Sequence, residues 1–314
     1  MKQTIKDGLK VGLQTTWTLG KVIFPITILV GVLQHTPVLQ FIIDFIAPFM
    51  GIFGLSGEAA IPLVVGNFLN LYAGIGAILT LELTVKEVFI LAVMLSFSHN
   101  LLVESTVAAK VGIKIWIILT VRLGLAIFSA LIINLAWKGG GEIAQYGLIT
   151  TSDEKVTGWF PILIDAVQKG LMGVLQLAII IIPLMVAVQF LKDLGWLHKF
   201  SKWMAPFTRM LGMKENTSTT LAAGLLIGLA YGAGMMIQAV KEDGVSKRDI
   251  TLAFIFLVAC HAVIEDTLIF IPLGIPIWPL LLIRVVTAVV LTILVAVIWK
   301  RVEVGKRKEA IYDH

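Results

Sequence analysis

Two histidines, three carboxylates and two arginines stand inside stretches of sequence that are otherwise apolar, so any chemistry is to be sought around them. His99 and His261 have side chains that titrate near neutrality when unperturbed, which suits a proton relay or a metal ion. Glu104 follows the first histidine, and Glu265 and Asp266 follow the second, all within five residues. Arg122 and Arg284 lie further along, where an arginine without a partner is costly on any scale. Glu104 is expected to pair with Arg122 and Asp266 with Arg284, either bracing neighbouring helices or coupling to a solute or proton. His261 and Glu265 are four apart and share a helix face, and with Cys260 they offer donor atoms for a metal ion. Val103 stands at the same spacing from His99, so no matching second metal site is implied.

These residues fall at equivalent points of a duplicated sequence. Aligning Pro25 with Pro183 also aligns Ala47-Pro48-Phe49 with Ala205-Pro206-Phe207, Gly66 with Gly224, and Gly74 and Gly76 with Gly232 and Gly234, at an offset of 158. After an insertion near Lys241 the offset becomes 162 and matches His99 to His261, Glu104 to Asp266, and Gly112-Ile-Lys-Ile-Trp116 to Gly274-Ile-Pro-Ile-Trp278. Arg122 and Arg284 follow that motif at the same distance. Duplicated halves that carry buried polar residues mark many secondary transporters, whose solute sites lie where the repeats meet.

Composition agrees with a membrane setting. Hydrophobic residues make up 58% of the chain, charged residues 14%, and the mean hydropathy is +0.95, whereas soluble domains carry roughly 25% charged residues. The lipid bilayer is therefore the first expected partner. The net charge of +5 is scattered through short links, which argues against nucleic acid. Cys260 is the single cysteine and can form no disulfide within the chain. The first apolar run reads as a retained span and not as a cleaved leader.

Apolar runs of about 20 residues, the length needed to cross a bilayer, occur near 12–34, 88–107, 113–137, 166–191, 249–270 and 277–299. Two further runs, 58–80 and 217–240, are broken by glycine, proline or asparagine. If both are re-entrant, 18 basic residues face the cytoplasm and only Lys86, Lys138 and Lys155 lie outside. That bias matches the positive-inside tendency. The expected fold is thus an all-α polytopic membrane protein of two inverted-topology repeats, each with three transmembrane helices and a re-entrant helical hairpin. Repeat 1 covers 1–137, an external connector 138–160, repeat 2 161–300, and a basic cytoplasmic tail 301–314. Both termini are expected in the cytoplasm, and segments 38–53 and 197–211 as amphipathic helices that frame the hairpins.

Irregular backbone at membrane depth is tolerated where it is buried in protein or lines a watery cavity, so the hairpin tips are candidate solute contacts. Asn67, Asn70 and Tyr72 in the first, and Tyr231 and Gln238 in the second, supply donors and acceptors without fixed charge. Ser56 and Glu58 precede the first hairpin, where a half-helix N-terminus attracts polar groups. The ion or coupling pathway would use His99, Asn100, Glu104, Arg122, His261, Glu265, Asp266 and Arg284. One central cavity at the repeat interface, bordered by the two histidines, Asn67 and Asn70, is the expected geometry. No phosphate-binding glycine loop, activated nucleophile or metalloprotease spacing is present, so an enzyme is not expected and no cofactor is implied.

The string Gly54-Leu55-Ser56-Gly57-Glu58-Ala59-Ala60-Ile61-Pro62-Leu63, followed by Gly66-Asn67, resembles the nucleoside-recognition or Gate family. That family includes gate domains of ferrous-iron permeases, spore-maturation membrane proteins and concentrative nucleoside transporters. The resemblance covers both halves as two gate repeats, the second more diverged, with Gly212-Met213-Lys214-Glu215 replacing Gly54-Leu55-Ser56-Gly57. Asn67 stands where iron permeases carry a cysteine. The resemblance implies a plasma-membrane protein. Three functions stay open: a secondary transporter of a small polar solute, such as a nucleoside, coupled to H⁺ or Na⁺; a divalent-cation permease; or a scaffold in envelope or spore biogenesis, any of them as a homo-oligomer.

Overall fold

The structure is a computed structural model that describes residues 2–33, 36–147, 158–242 and 244–312. Among the described residues it is helical apart from short turns and one isolated bridge between Thr84 and Ile143. Five stretches are long and apolar enough to cross a membrane: Lys2–Leu33, Val85–Lys110, Ile115–Ala136, Trp159–Phe190 and Ile277–Val302. Large apolar side chains on these helices face outward, among them Trp17, Leu135, Phe160 and Trp278, as lipid contact requires. The chain is an all-α polytopic membrane protein.

Its residues form two compact units that do not coincide with the two halves of the sequence. The first contains Met1–Leu102, Arg122–Leu194 and Ile264–Leu281; the second contains Val103–Val121, Gly195–Val263 and Leu282–His314. Each unit therefore includes the segment that follows the histidine in the opposite repeat. Arg122 shares its unit with Asp266, and Arg284 shares its unit with Glu104.

In the first unit, α1 (Lys2–Leu33) runs antiparallel to α8 (Trp159–Asp193), its own repeat equivalent. Glycine permits the close approach. A Cβ on Gly8 would lie 2.6 Å from Val186 Cα, and one on Gly12 would lie 3.0 Å from Ile182 Cα. Shifting both partners of the Gly12–Ile182 contact by 158 in opposite directions gives Gly170–Phe24, which is also a contact, at 3.0 Å. Equivalent helices that meet antiparallel through exchangeable residue pairs are the signature of inverted repeats.

The interrupted segments form helical hairpins. In the first, α3 (Ala60–Phe68) and α4 (Leu71–Ile78) hold nine and eight residues, each roughly 12–14 Å long and far short of a bilayer core. Gly66 and Gly74 face each other where the arms cross, and a Cβ on Gly74 would sit 3.1 Å from Gly66 Cα. In the second unit α10 (Ser218–Ile227) and α11 (Leu229–Glu242) are separated by Gly228, whose φ of +91° suits glycine. Before each hairpin lies a further helix. α2 (Pro37–Gly51) packs on the 3-10 turn Gly57–Ala59, and α9 (Trp196–Met210) packs on α10, with Ser201 Oγ 3.2 Å from Thr219 Oγ1.

Two spans expected to be continuous are broken. The 88–107 run is α5 (Val85–Ser98) followed by α6 (Leu101–Lys110), with His99 and Asn100 between them. The 249–270 run is α12 (Lys247–Ala259) followed by α13 (Glu265–Leu268), interrupted at Cys260–Ile264. α5 and α12 are buried on all sides from Val88 to Ser98 and from Asp249 to Ala259. α7 (Ile115–Ala136) and α14 (Ile277–Tyr312) instead leave apolar faces exposed. Connector residues 140–144 are pinned in the first unit, where Val85 N–H donates to Glu142 O and Ala144 N–H to Leu83 O.

Gly8→Ala would force α1 and α8 apart and is expected to cost about 1–3 kcal/mol, read as a lower unfolding midpoint of the purified protein. Gly124→Ala, in α7 with open space around it, is the control and should gain up to about 1 kcal/mol. Equal midpoints for the two variants would refute the close α1–α8 contact.

Candidate functional site

Helix ends leave carbonyl groups without intrahelical partners, and a break deep inside an apolar protein must supply replacements. In the first unit Arg122 does so. Its Nε donates to Phe97 O at 2.8 Å and its Nη2 to His99 O, so the guanidinium caps the end of α5. In the second unit Arg284 Nη2 donates to His261 O at 2.6 Å, capping the end of α12. Both arginines are fully buried. A cation at a helix C-terminus is also favoured by the backbone dipole.

The far side of each break is tied to the hairpin. Asn100 N–H donates to Gly66 O at 2.9 Å, and Ala262 N–H donates to Gly224 O at 3.0 Å. Among the described residues, Asn100 and Ala262 are the non-glycine residues with positive φ, +51° and +40°. Cβ atoms on Gly66 and Gly224 would strike Leu95 and Leu257, at 2.5 and 2.4 Å. The hairpin glycines thus serve close packing, which lets a carbonyl reach the broken helix.

Each histidine is oriented by its own helix. His99 Nδ1 lies 2.6 Å from Leu95 O, and His261 Nδ1 lies 2.8 Å from Leu257 O. A carbonyl oxygen only accepts, so Nδ1 carries the hydrogen in both rings. His261 Nε2 then faces Glu104 Oε2 at 3.3 Å, a contact between residues of opposite repeats. In the first unit a carboxylate oxygen of Asp266 lies within 4.8 Å of a His99 ring nitrogen. Each of these acids stands beside the histidine of the other repeat. Glu104, Asp266 and both histidines are buried.

One contact departs from the pseudo-symmetry. The Tyr72 hydroxyl donates to Glu265 Oε1 in the first unit. The equivalent positions in the second are Ala230 and Val103, so that unit has no counterpart. Tyr72 carried no more weight in the sequence than its neighbours, because its partner is 193 residues away.

The remaining candidates are distributed unevenly. Asn70 Oδ1 accepts from Ala73 N–H at 2.9 Å and caps α4, so its side chain closes the hairpin turn. Asn67 Oδ1 is buried with no hydrogen-bond partner among the described residues. Ser56 is exposed, and its N–H donates to Glu87 Oε1 at 2.8 Å. The same Glu87 closes a capping box with Thr84, which anchors the hairpin entrance to α5. Burial, then the carboxylates of Glu82 and Glu87, push the Glu58 carboxyl above its ordinary range. Gln238 is exposed and donates to Glu242 along α11, and the side chain of Tyr231 lies outside the described residues. Cys260 caps α12 beside His261 in the second unit, while Glu265 belongs to the first.

Hydropathy reading passed over two further charged residues. Lys21 is exposed on α1 with its Nζ 5.9 Å from the Trp17 ring, and Lys169 pairs with Asp165 at 2.9 Å on α8. Lys21 edges a groove of about 790 Å³ between α1 and α8, lined by apolar residues such as Leu13, Phe24 and Leu175.

With this geometry in view, the sequence profile described as Gate, nucleoside recognition, matches residues 16–114 and 174–275. The chain belongs to the Gate family. The two matched segments each carry one hairpin and one histidine break. This Gate protein is 67% identical over 301 residues to the protein of Bacillus subtilis (strain 168) described as "Uncharacterized membrane protein YvoD", with 96% of each chain covered. It also aligns with the solved structure of a CNTnw variant in an outward-facing state, at a TM-score of 0.42 and 15% identity, covering 88% of this chain and 74% of that one.

Arg284→Ala strips the cap from His261 O, and leaving a buried acceptor without its charged donor is expected to cost on the order of 1.5–3 kcal/mol. Denaturant titration of the purified protein measures it. Unchanged stability would show that the cap is dispensable.

Proposed function

We propose that this Gate protein is a secondary transporter of a small polar solute, working by alternating access and coupled to H⁺ or Na⁺. Nucleosides are the class to test first. The observation that carries this reading is the junction in each unit where a re-entrant hairpin meets a broken helix amid buried polar groups. Non-helical backbone of this kind persists at membrane depth where it serves a site. Asn67 Oδ1 adds a buried acceptor with its hydrogen bonding unspent, and amide groups of this type suit the neutral donors of a nucleobase or sugar. The Gate family description supports nucleosides over other polar solutes. In this reading the protein sits in the plasma membrane with both termini cytoplasmic, as its Lys/Arg distribution favours.

Thermal melts of the detergent-solubilised protein should rise with uridine or adenosine. Occupancy at a hundredfold excess over Kd corresponds to about 2.7 kcal/mol. Asn67→Ala should shrink that rise. Melts that respond to Fe²⁺ or Mn²⁺ alone would favour the cation-permease reading, and indifference to all four would leave the scaffold.

Cysteine accessibility tests the orientation separately. A cysteine at position 86 should label from outside and one at position 110 from inside. Labelling of position 86 from the cytoplasm would overturn the proposed topology.

A further inference from the structure

We propose that α9 docks acidic phospholipid headgroups, lying along a membrane surface with its tryptophans among the acyl chains and its lysines on the lipid phosphates. At 3.6 residues per turn the side chains of this helix sort into three sides. One side faces the protein: Ser201, Met204 and Thr208 are buried there. Its hydroxyls meet α10, with Ser201 Oγ 3.2 Å from Thr219 Oγ1 and Thr208 Oγ1 3.1 Å from Ser218 Oγ. A second side carries Trp196, Trp203 and Met210, all exposed. The third carries every base of the helix, namely His198, Lys199, Lys202 and Arg209, within an arc of roughly 100°. All four bases are exposed. Water is a poor surround for two bare indoles, and hydrocarbon is a worse one for the bases. The boundary between them accommodates both, since indole rings settle at headgroup level and basic side chains reach outward from it.

Location at such a boundary needs no charge, and the repeat supplies the comparison. α2 is the equivalent of α9 at the offset of 158. It has Gln40, Phe41, Asp44 and Gly51 where α9 has His198, Lys199, Lys202 and Arg209. Phe45 stands in place of Trp203, and the two are 72% and 75% exposed. The aromatic anchor is thus common to both helices, and the bases belong to one. Inverted repeats put equivalent segments at opposite membrane surfaces, so the surface that α9 occupies is the one matched to negative charge.

The charge on α9 is not spent within the protein. The helix contains no acidic residue. Arg209 pairs with Glu215 at 3.0 Å, but among the described residues neither Lys199 nor Lys202 has a carboxylate partner. These two lysines are three apart and are neighbours on the helix surface, where like charges repel. A lipid phosphate between them relieves that repulsion and accepts from both ammonium groups. A headgroup held there is coupled through α9 to the first arm of the second hairpin, whatever solute the protein carries.

Bromolipid quenching of tryptophan fluorescence tests this on the full chain in phosphatidylcholine bilayers. Acyl-brominated phosphatidylglycerol is compared with acyl-brominated phosphatidylcholine, and a Trp196→Phe/Trp203→Phe variant subtracts the signal of the six other tryptophans. The α9 indoles should be quenched preferentially by phosphatidylglycerol. Lys199→Gln/Lys202→Gln should lower that preference by about fivefold for each lysine removed. Lys110→Gln/Lys114→Gln removes two exposed bases outside α9 and should leave it unchanged. If the α9 lysine variant fails to fold, wild-type protein in about 1 M NaCl gives the same reading, because salt screens exposed charges. Equal quenching by the two lipids in the wild type would overturn the proposal, as would a preference that survives the lysine substitutions or the salt. Equal loss in Lys110→Gln/Lys114→Gln would assign the effect to the net charge of the chain and also overturn it. Indoles quenched by neither lipid, with a smaller particle mass by light scattering in the α9 lysine variant, would mean that a second copy covers this face in place of lipid.

Discussion

Buried arginine on a helix-terminal carbonyl is the interaction on which the rest of this architecture depends. A chain this apolar can cross a membrane with unbroken helices at little cost, and breaking one exposes carbonyls that hydrocarbon cannot satisfy. Arg122 and Arg284 satisfy them, and only then can α5 and α12 stop inside the protein and aim a histidine sideways. The hairpin completes the arrangement by accepting the backbone N–H on the far side of the break. Closeness of that contact in turn demands glycine at 66 and 224.

Once that scaffold is separated from what it holds, the pseudo-symmetry sorts the residues. Contacts present in both units, namely the arginine cap, the Nδ1 anchor and the glycine carbonyl, build the junction. Contacts present in one unit differentiate it. Tyr72 and Glu265 belong to this second class. Each unit borrows its acid from the opposite repeat, so neither repeat forms the junction from its own sequence alone.

The repeat itself was legible from sequence because it rests on glycine, proline, histidine and arginine, whose spacings survive when apolar positions drift. Both hairpins were legible for the same reason. The helix breaks were not. Ser98-His99-Asn100 contains no proline or glycine, and Ala262 is a good helix former, so hydropathy runs straight across both sites. What caps each broken end is an arginine more than twenty residues away in sequence. Partner choice was hidden in the same manner. Spacing within a repeat gave no sign of His261 beside Glu104, a neighbour brought up by a fold that exchanges segments between halves. Lys21 was missed because one charge scarcely lowers a long hydropathy average.

The glycine-lined seam between α1 and α8 has a consequence for ancestry. Its residue pairs exchange under the repeat operation, so each helix presents to the other the surface that it would present to its own copy turned upside down. A half-length forebear would have needed no new interface to dimerise, only a bilayer into which it inserted in both directions. Fusion then froze one copy in each direction, and from that moment the two junctions were free to diverge.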